Sequence, residues 1–93
     1  MIRHIVLMTF TDPDDAQEAR SRLEALPADI PEILSLDVGL DVVGSDVSAH
    51  LALTTTHASL DTLRAYQDHP VHAEFGQWVR PRLAARQVVD AQF

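Results

Sequence analysis

A short segment between residues 66 and 72 contains the side chains best suited to acid–base chemistry in this sequence. It holds the phenol of Tyr66 and the imidazoles of His69 and His72, with Pro70 between the two histidines. An imidazole titrates near neutral pH and can remove a proton from carbon, and a phenol can donate a hydrogen bond to an oxygen that becomes negative. The segment therefore predicts a general base, His72, beside a hydrogen-bond donor, Tyr66.

Pro70 is expected to separate two helices. Proline disfavours helical geometry at the preceding residue, and it is well accommodated at the first position of a new helix. His72 would then lie in the first turn of that helix, where the helix dipole favours the neutral imidazole. His69 is expected to cap or bridge backbone groups. The alternative is that the Tyr66 ring only packs under the sheet and that His72 only satisfies a backbone group.

Three further histidines stand outside this segment. His4 and His50 fall in predicted strands, where they could orient a substrate if both rings face the same side of the sheet. A histidine on a strand is otherwise a core or interface residue, so both readings remain open. His57 falls in the predicted loop before the second helix, and we expect it to be exposed.

The composition excludes several classes of function. The chain has 14 acidic and 7 basic residues, and its net charge is −7. Binding to phosphate surfaces requires clustered positive charge, so we expect neither a nucleic-acid nor a membrane partner. Cysteine is absent, which excludes disulfides and thiolate chemistry. No signal peptide or spanning segment is recognisable, and a cytoplasmic protein is expected.

The hydrophobic pattern predicts the order β-α-β-β-α-β in a single domain, residues 1–93. This is the order of ferredoxin-like α+β folds, in which a four-stranded antiparallel sheet carries its helices on one face. The predicted strands cover residues 2–10, 34–42, 48–56 and 86–93. The predicted helices cover 16–26, a segment capped by Ser59, and a segment from Pro70 that carries Phe75, Val79 and Leu83 and is bent or ended by Pro81.

The first strand has no polar side. Its alternating pattern places Ile5 and Leu7 on one side and Ile2, Val6, Met8 and Phe10 on the other. Helices on one face of the sheet can cover only one of these sides, so the second side must be buried by another molecule. The simplest partner is a second copy of the chain, and we predict a homodimer through the sheet face.

The sequence resembles the stress-responsive A/B barrel domain (Dabb) family. The matching positions are Ile2-Arg3-His4-Ile5-Val6-Leu7, Gly39, His50, Leu63, Tyr66, His69-Pro70-Val71-His72 and Val88-Val89-Asp90. The resemblance implies a small dimeric α/β barrel. Several members of the family are linked to stress responses, and many have no assigned chemistry.

A plant polyketide cyclase of this family implies roles for individual residues. Its catalytic tyrosine and histidine match Tyr66 and His72, and two pocket histidines match His4 and His50. The resemblance then implies a reaction without cofactor or metal on an enolisable, polyketide-like compound. The side chains of Phe75 and Trp78 are expected to shape the substrate pocket.

Two functions from different classes remain open. One is a stress-associated dimeric barrel domain whose pocket holds a small apolar ligand or is filled by side chains. The other is a cofactor-independent cyclase, lyase or isomerase. A void of roughly a few hundred Å³ beside Tyr66 and His72, the size expected of ligand pockets, favours the enzyme, whereas a space filled by Phe75 and Trp78 favours the binding or structural domain.

Overall fold

Four strands and three α-helices make up the chain, which a computed structural model describes from Met1 to Phe93. The elements are β1 (Ile2–Phe10), α1 (Asp15–Glu24), β2 (Ser35–Leu40), β3 (Leu51–His57), α2 (Leu60–Asp68), α3 (Pro70–Val79) and β4 (Leu83–Gln92). Short 3-10 turns at Leu26–Ala28 and Arg80–Arg82 follow α1 and α3. None of the helices has the length and apolarity needed to cross a bilayer.

The strands form one antiparallel sheet in the order β2-β3-β1-β4. The two central strands are β1 and β3, and in this register Val6 lies opposite Leu53 on one side and Val88 on the other. With α2 and α3 together in the second helical position, the predicted ferredoxin-like α+β fold is confirmed.

The helices cover the side of β1 that carries residues 2, 4, 6, 8 and 10, all of which are buried. Ala16, Ala19 and Leu23 of α1 belong to the same hydrophobic core. Ile2, Val6, Met8 and Phe10 therefore form the interior of one chain, which corrects their use as an argument for a partner. The side left open is the opposite one, where Leu7 is 39% exposed and Val89 is 59% exposed.

Proline residues set the helix ends, as the sequence predicts. Pro81 cannot continue α3 because it lacks a backbone N–H, and α3 ends at Val79. The chain then turns directly into β4 at Leu83. Leu83 is thus the first residue of a strand and not part of the helix, and β4 begins three residues before the predicted 86–93.

The connection between β2 and β3 is longer than the predicted turn and covers residues 41–50. The Asp41 carboxylate accepts a hydrogen bond from Gly44 N at 2.6 Å, and Gly44 has a φ of +67°, a conformation that favours glycine. This local turn ends the strand alternation at Leu40, and Val42 and Val43 are exposed.

Candidate functional site

The junction of α2 and α3 brings Tyr66 and His72 together. Between the helices, His69 is extended, with φ −62° and ψ 136°, and its Nδ1 accepts a hydrogen bond from Val71 N at 3.1 Å. His69 therefore caps α3, as predicted, and Pro70 is the first helical residue. Tyr66 in the last turn of α2 meets His72 in the first turn of α3, and their ring centroids are 4.6 Å apart.

The Tyr66 hydroxyl is buried and has no hydrogen-bond partner. It is the only buried side-chain nitrogen or oxygen in the protein that lacks one. An unsatisfied buried donor costs roughly 1–3 kcal/mol. Burial also raises the pKa of Tyr66 to about 12, partly opposed by the nearby charge of Arg86. The phenol therefore keeps its proton at neutral pH and can donate it in a hydrogen bond.

His72 is held in the neutral, proton-accepting form. Burial is the main cause that lowers its pKa below the ordinary value, and the charges of His4, Arg86 and Arg80 act in the same direction, while the Gln67 backbone opposes them. The direction agrees with the sequence-based expectation. The leading cause is desolvation, which penalises the charged ring.

His4 is almost fully buried in β1 and is oriented by Asp90 of β4. The two residues are directly opposite in the antiparallel register, and His4 Nδ1 lies 2.5 Å from Asp90 Oδ1. An ionised carboxylate only accepts hydrogen bonds, so Nδ1 carries a proton and donates it to Asp90, and Nε2 is the ring nitrogen left without this partner. The His4 ring centroid is 5.9 Å from that of Tyr66.

His57 is buried, and the prediction that it is exposed is wrong. It is the last residue of β3, and its Nδ1 donates to the Glu32 carbonyl at 2.9 Å. Its Nε2 therefore accepts from the Thr55 hydroxyl at 2.8 Å. Burial lowers the pKa of His57, and its ring lies 4.8 Å from that of Tyr66. With both nitrogens satisfied, His57 supports the tyrosine ring.

His50 lies outside this group, so the structure does not bring the four predicted site residues together. Its Nδ1 accepts a hydrogen bond from Phe10 N at 2.9 Å, and its ring stacks on Phe10 at a centroid distance of 6.3 Å. The buried side of β3 carries residues 51, 53, 55 and 57. His50 is out of phase with them and precedes the strand.

A cavity of about 100 Å³ lies beside the Tyr66 and His72 side chains. It is smaller than the roughly 300 Å³ or more expected of a ligand pocket, so its volume does not by itself favour the enzyme. Phe75 forms part of its wall, but Trp78 does not. Trp78 packs behind Phe75, at a centroid distance of 6.1 Å, with the guanidinium groups of Arg22 and Arg82 over its ring. The lining residues are His4, Val6, Met8, Leu23, Leu53, Tyr66, His72, Phe75, Gly76, Val79, Arg80, Leu83 and Arg86.

Three charged residues that line the cavity or orient a lining residue were not among the predicted site residues: Asp90, Arg80 and Arg86. The signal for Arg86 and Asp90 is their spacing in β4, because alternate residues of that strand pair with inward residues of β1. No group of three or more His, Asp or Glu side chains is arranged to hold a metal ion.

Comparisons with known proteins agree with this architecture. The sequence model of the Stress responsive A/B Barrel Domain matches residues 2–93. A dimeric ferredoxin-like protein of unknown function from Thermobifida fusca is 34% identical, with a TM-score of 0.87, over 99% of this chain and 90% of that one. A dimeric protein of unknown function from Bacteroides fragilis is 28% identical, with a TM-score of 0.88, over 99% and 95%.

An enzyme is also among the similar structures. Hydroxynitrile lyase from Passiflora edulis is 18% identical, with a TM-score of 0.84, over 97% of this chain and 90% of that one. At this identity the likeness shows the fold alone. No curated protein matches the sequence.

Proposed function

The chain belongs to the stress-responsive A/B barrel domain family, and from that premise we propose that it is a cofactor-independent acid–base enzyme. Its substrate is a small enolisable carbonyl compound, and the reaction is of the lyase or isomerase type. The cavity beside Tyr66 and His72 is its active site.

The unpaired hydroxyl of Tyr66 is the observation that carries this proposal. A buried donor without a partner destabilises the folded chain, and it is satisfied when a guest places an oxygen in the cavity. The same cavity is bordered by His72, whose lowered pKa leaves it able to accept a proton. The donor for oxygen and the acceptor for a carbon-bound proton therefore belong to two residues that border one small space.

The proposed reaction begins with the substrate carbonyl oxygen accepting a hydrogen bond from Tyr66. His72 removes a proton from the adjacent carbon, and the negative charge that develops on the oxygen is stabilised by the phenol. In an isomerisation, the proton on the His72 imidazolium returns to a different carbon of the enolate. In a lyase reaction, the bond between the next carbon and the leaving group breaks as the enolate collapses, and the leaving group takes the proton from His72. His4, oriented by Asp90, presents its second nitrogen to the substrate.

A binding function is the second candidate, and one observation favours it. Hydrophobic residues make up 8 of the 13 that line the cavity, which suits a small apolar ligand held by a stress-associated barrel domain. A polyketide chain fits less well, because pockets for such molecules measure roughly 300–1,000 Å³. A cavity of about 100 Å³ accepts it only if the wall moves.

A homodimer completes the proposal. The similar proteins from Thermobifida fusca and Bacteroides fragilis are dimeric. In this chain, the side of the sheet away from the helices carries apolar residues in adjacent pairs, with Leu7 opposite Ala52 and Ile5 opposite Val89. A second sheet packed on this side removes that surface from water.

Proton exchange tests the enzyme without knowledge of the natural substrate. Small aldehydes, ketones and oxo acids are incubated with the protein in deuterated water, and exchange at the carbon beside the carbonyl is followed by NMR. We expect His72→Ala to slow the exchange by about 10²-fold or more, with a melting temperature close to that of the parent. Gln77→Ala, an exposed change on the same helix, is the matched control.

Two outcomes oppose the proposal. If no member of the panel exchanges faster than in buffer alone, the chain is a binding domain. If His72→Ala lowers the melting temperature as strongly as it lowers exchange, the imidazole holds the fold together and does not act on a substrate.

A further inference from the structure

Two arginines line the cavity without any carboxylate beside them. Arg80 and Arg86 both border it, and neither takes part in an ion pair. Four of the other five arginines are paired with Asp or Glu side chains. In a chain of net charge −7, the unpaired guanidinium groups are therefore concentrated at one small hollow.

Arg80 reaches the cavity because Gly76 has no side chain. The two residues are one helical turn apart, and a Cβ at Gly76 would lie 3.1 Å from Nη2 and 3.3 Å from Cζ of Arg80. Such contacts are closer than a methyl group normally tolerates, so the guanidinium rests directly against the glycine. The glycine thus makes room for a positive charge at the cavity wall.

Arg86 occupies an exposed position of the edge strand β4. It lies opposite Met8 in the β1–β4 ladder, in phase with Val88 and on the side of the sheet that faces the helices. Its charge is close enough to lower the pKa values of both Tyr66 and His72. The positive charge is therefore placed within reach of the groups to which we assign the chemistry.

The cavity volume limits the length of a guest. An engineered apolar cavity of roughly 150 Å³ accommodates benzene, which has six carbon atoms. The present cavity of about 100 Å³ holds a shorter fragment, with any charged end left at the arginines. A guanidinium group binds a carboxylate through two parallel, charge-assisted hydrogen bonds. An arginine without an acidic partner in the chain has its N–H groups free for such a ligand.

We propose that the ligand is a short-chain oxo acid whose carboxylate binds to Arg80 and Arg86 and whose keto oxygen accepts a hydrogen bond from Tyr66. One molecule then satisfies the unpaired hydroxyl and both uncompensated charges. This inference rests on the proposed function for what happens to the ligand, but its binding is measurable without any turnover.

Binding of acetoacetate is compared with that of pentane-2,4-dione, in which a methyl group replaces a carboxylate oxygen. Titrations followed by calorimetry and by the ring NMR signals of Tyr66 and His72 give the dissociation constant of each ligand. We expect acetoacetate to bind at least about tenfold more tightly, the difference that one charge-assisted contact supplies. The dione lacks the charge and keeps the keto oxygen.

Variants of the arginines test whether the preference for acetoacetate over the dione depends on the charges at the cavity. Arg86→Leu should weaken acetoacetate by about tenfold or more and leave the dione unchanged. Arg80→Leu removes the second guanidinium and should act in the same direction. Arg64→Gln removes an exposed arginine paired with Asp61 on α2, and it is the control that should change neither ligand. Circular dichroism melting identifies any variant that does not fold. The effect on acetoacetate binding is then judged from the arginine variant that remains folded.

The remaining outcomes of these titrations either overturn or support the oxo-acid inference. Equal binding of the two ligands, or acetoacetate binding that Arg86→Leu leaves intact, overturns the oxo-acid inference. Inorganic phosphate binding as tightly as acetoacetate also overturns it, in favour of an unselective anion site. Charge-selective binding without any proton exchange in deuterated water supports the inference and refutes the proposed enzyme, so the two failures are distinguishable.

Discussion

The Tyr66 hydroxyl connects stability and function at the level of a single atom. It is buried without a partner, so the folded chain bears a cost of about 1–3 kcal/mol that a bound oxygen relieves. Strain or unsatisfied groups retained at one place are commonly associated with ligand sites. The neighbouring His57, with both nitrogens bonded, is the contrasting case of a buried polar ring with a structural role.

Replacing Tyr66 by phenylalanine separates these two effects. Tyr66→Phe removes a hydroxyl that has no partner in the protein, and we expect the free energy of unfolding to rise by about 1 kcal/mol. Proton exchange on a substrate should fall by about 10²-fold or more, because the donor to the developing oxyanion is lost. Denaturant unfolding and NMR exchange measure the two quantities.

Thr55→Val is the contrasting control for that experiment. It removes the hydroxyl that donates to His57 Nε2, leaves a buried acceptor unsatisfied, and should lower stability by about 1–3 kcal/mol. If Tyr66→Phe destabilises the protein to the same extent, the phenol has a partner in solution and the central observation fails.

The two histidines with lowered pKa values predict acid sensitivity. Burial lowers the pKa of both His57 and His72 below the ordinary value of 6.5. Below about pH 6.5 the unfolded chain therefore binds more protons than the folded chain, so stability is fully present above that pH and is lost as the pH falls. Denaturant unfolding between about pH 7.5 and pH 5 should show this decline.

A glutamine at position 57 identifies how much the His57 ring contributes to the pH dependence of stability. Glutamine can donate to the Glu32 carbonyl and accept from Thr55, but it does not titrate. We expect His57→Gln to reduce the dependence of stability on pH. A parent protein equally stable across the whole range would contradict the lowered pKa values.

At the scale of elements, the capping box at the start of α2 positions the site. The Ser59 side chain accepts a hydrogen bond from Thr62 N, and the Thr62 hydroxyl accepts one from Ser59 N. Ser59→Ala should lower the free energy of unfolding by about 0.5–2 kcal/mol. Ser21→Ala, which removes only a bond to the Gln17 carbonyl within α1, should have little effect in the same denaturation assay. Equal changes would show that the cap is not what stabilises α2.

The order of the elements and their inward faces could be predicted from the sequence, because period-two and helical patterns report burial directly. Strand ends could not, because they depend on tertiary contacts. The predicted strand ends at residue 56, one residue before His57, although the alternation through Leu51, Leu53 and Thr55 continues to His57. The start of this strand is equally hard to predict. His50 was expected on the same side of the sheet as His4, but it precedes β3 and is out of phase with the buried residues of that strand.

The pairing of His4 with Asp90 illustrates what lay beyond the sequence. The two residues are 86 positions apart, and only the β1–β4 register brings them face to face. Cavity volume is likewise a property of the assembled walls. The sequence named Phe75 and Trp78 as candidates, but only the packing of α3 shows that one ring faces the cavity and the other lies behind it.

At the scale of the whole molecule, the uncovered side of the sheet predicts the oligomeric state. Each chain has a mass of 10.3 kDa, and we expect sedimentation to give about twice this value. Leu7→Glu should produce monomers, since a two-fold interface places the two new charges close together. Leu60→Glu alters an apolar residue of similar exposure, 51%, on the helical side and should leave the dimer intact. A monomeric parent would refute the interface.

The position of Trp78 gives the molecule an optical reporter. It is the only indole in the chain, and it contacts the back of the Phe75 ring, whose front faces the hollow. Two guanidinium groups lie over its faces, so its emission is sensitive to small shifts of the surrounding charges. Entry of a molecule that displaces Phe75 should therefore change the intrinsic fluorescence, and candidate ligands can be screened without a label.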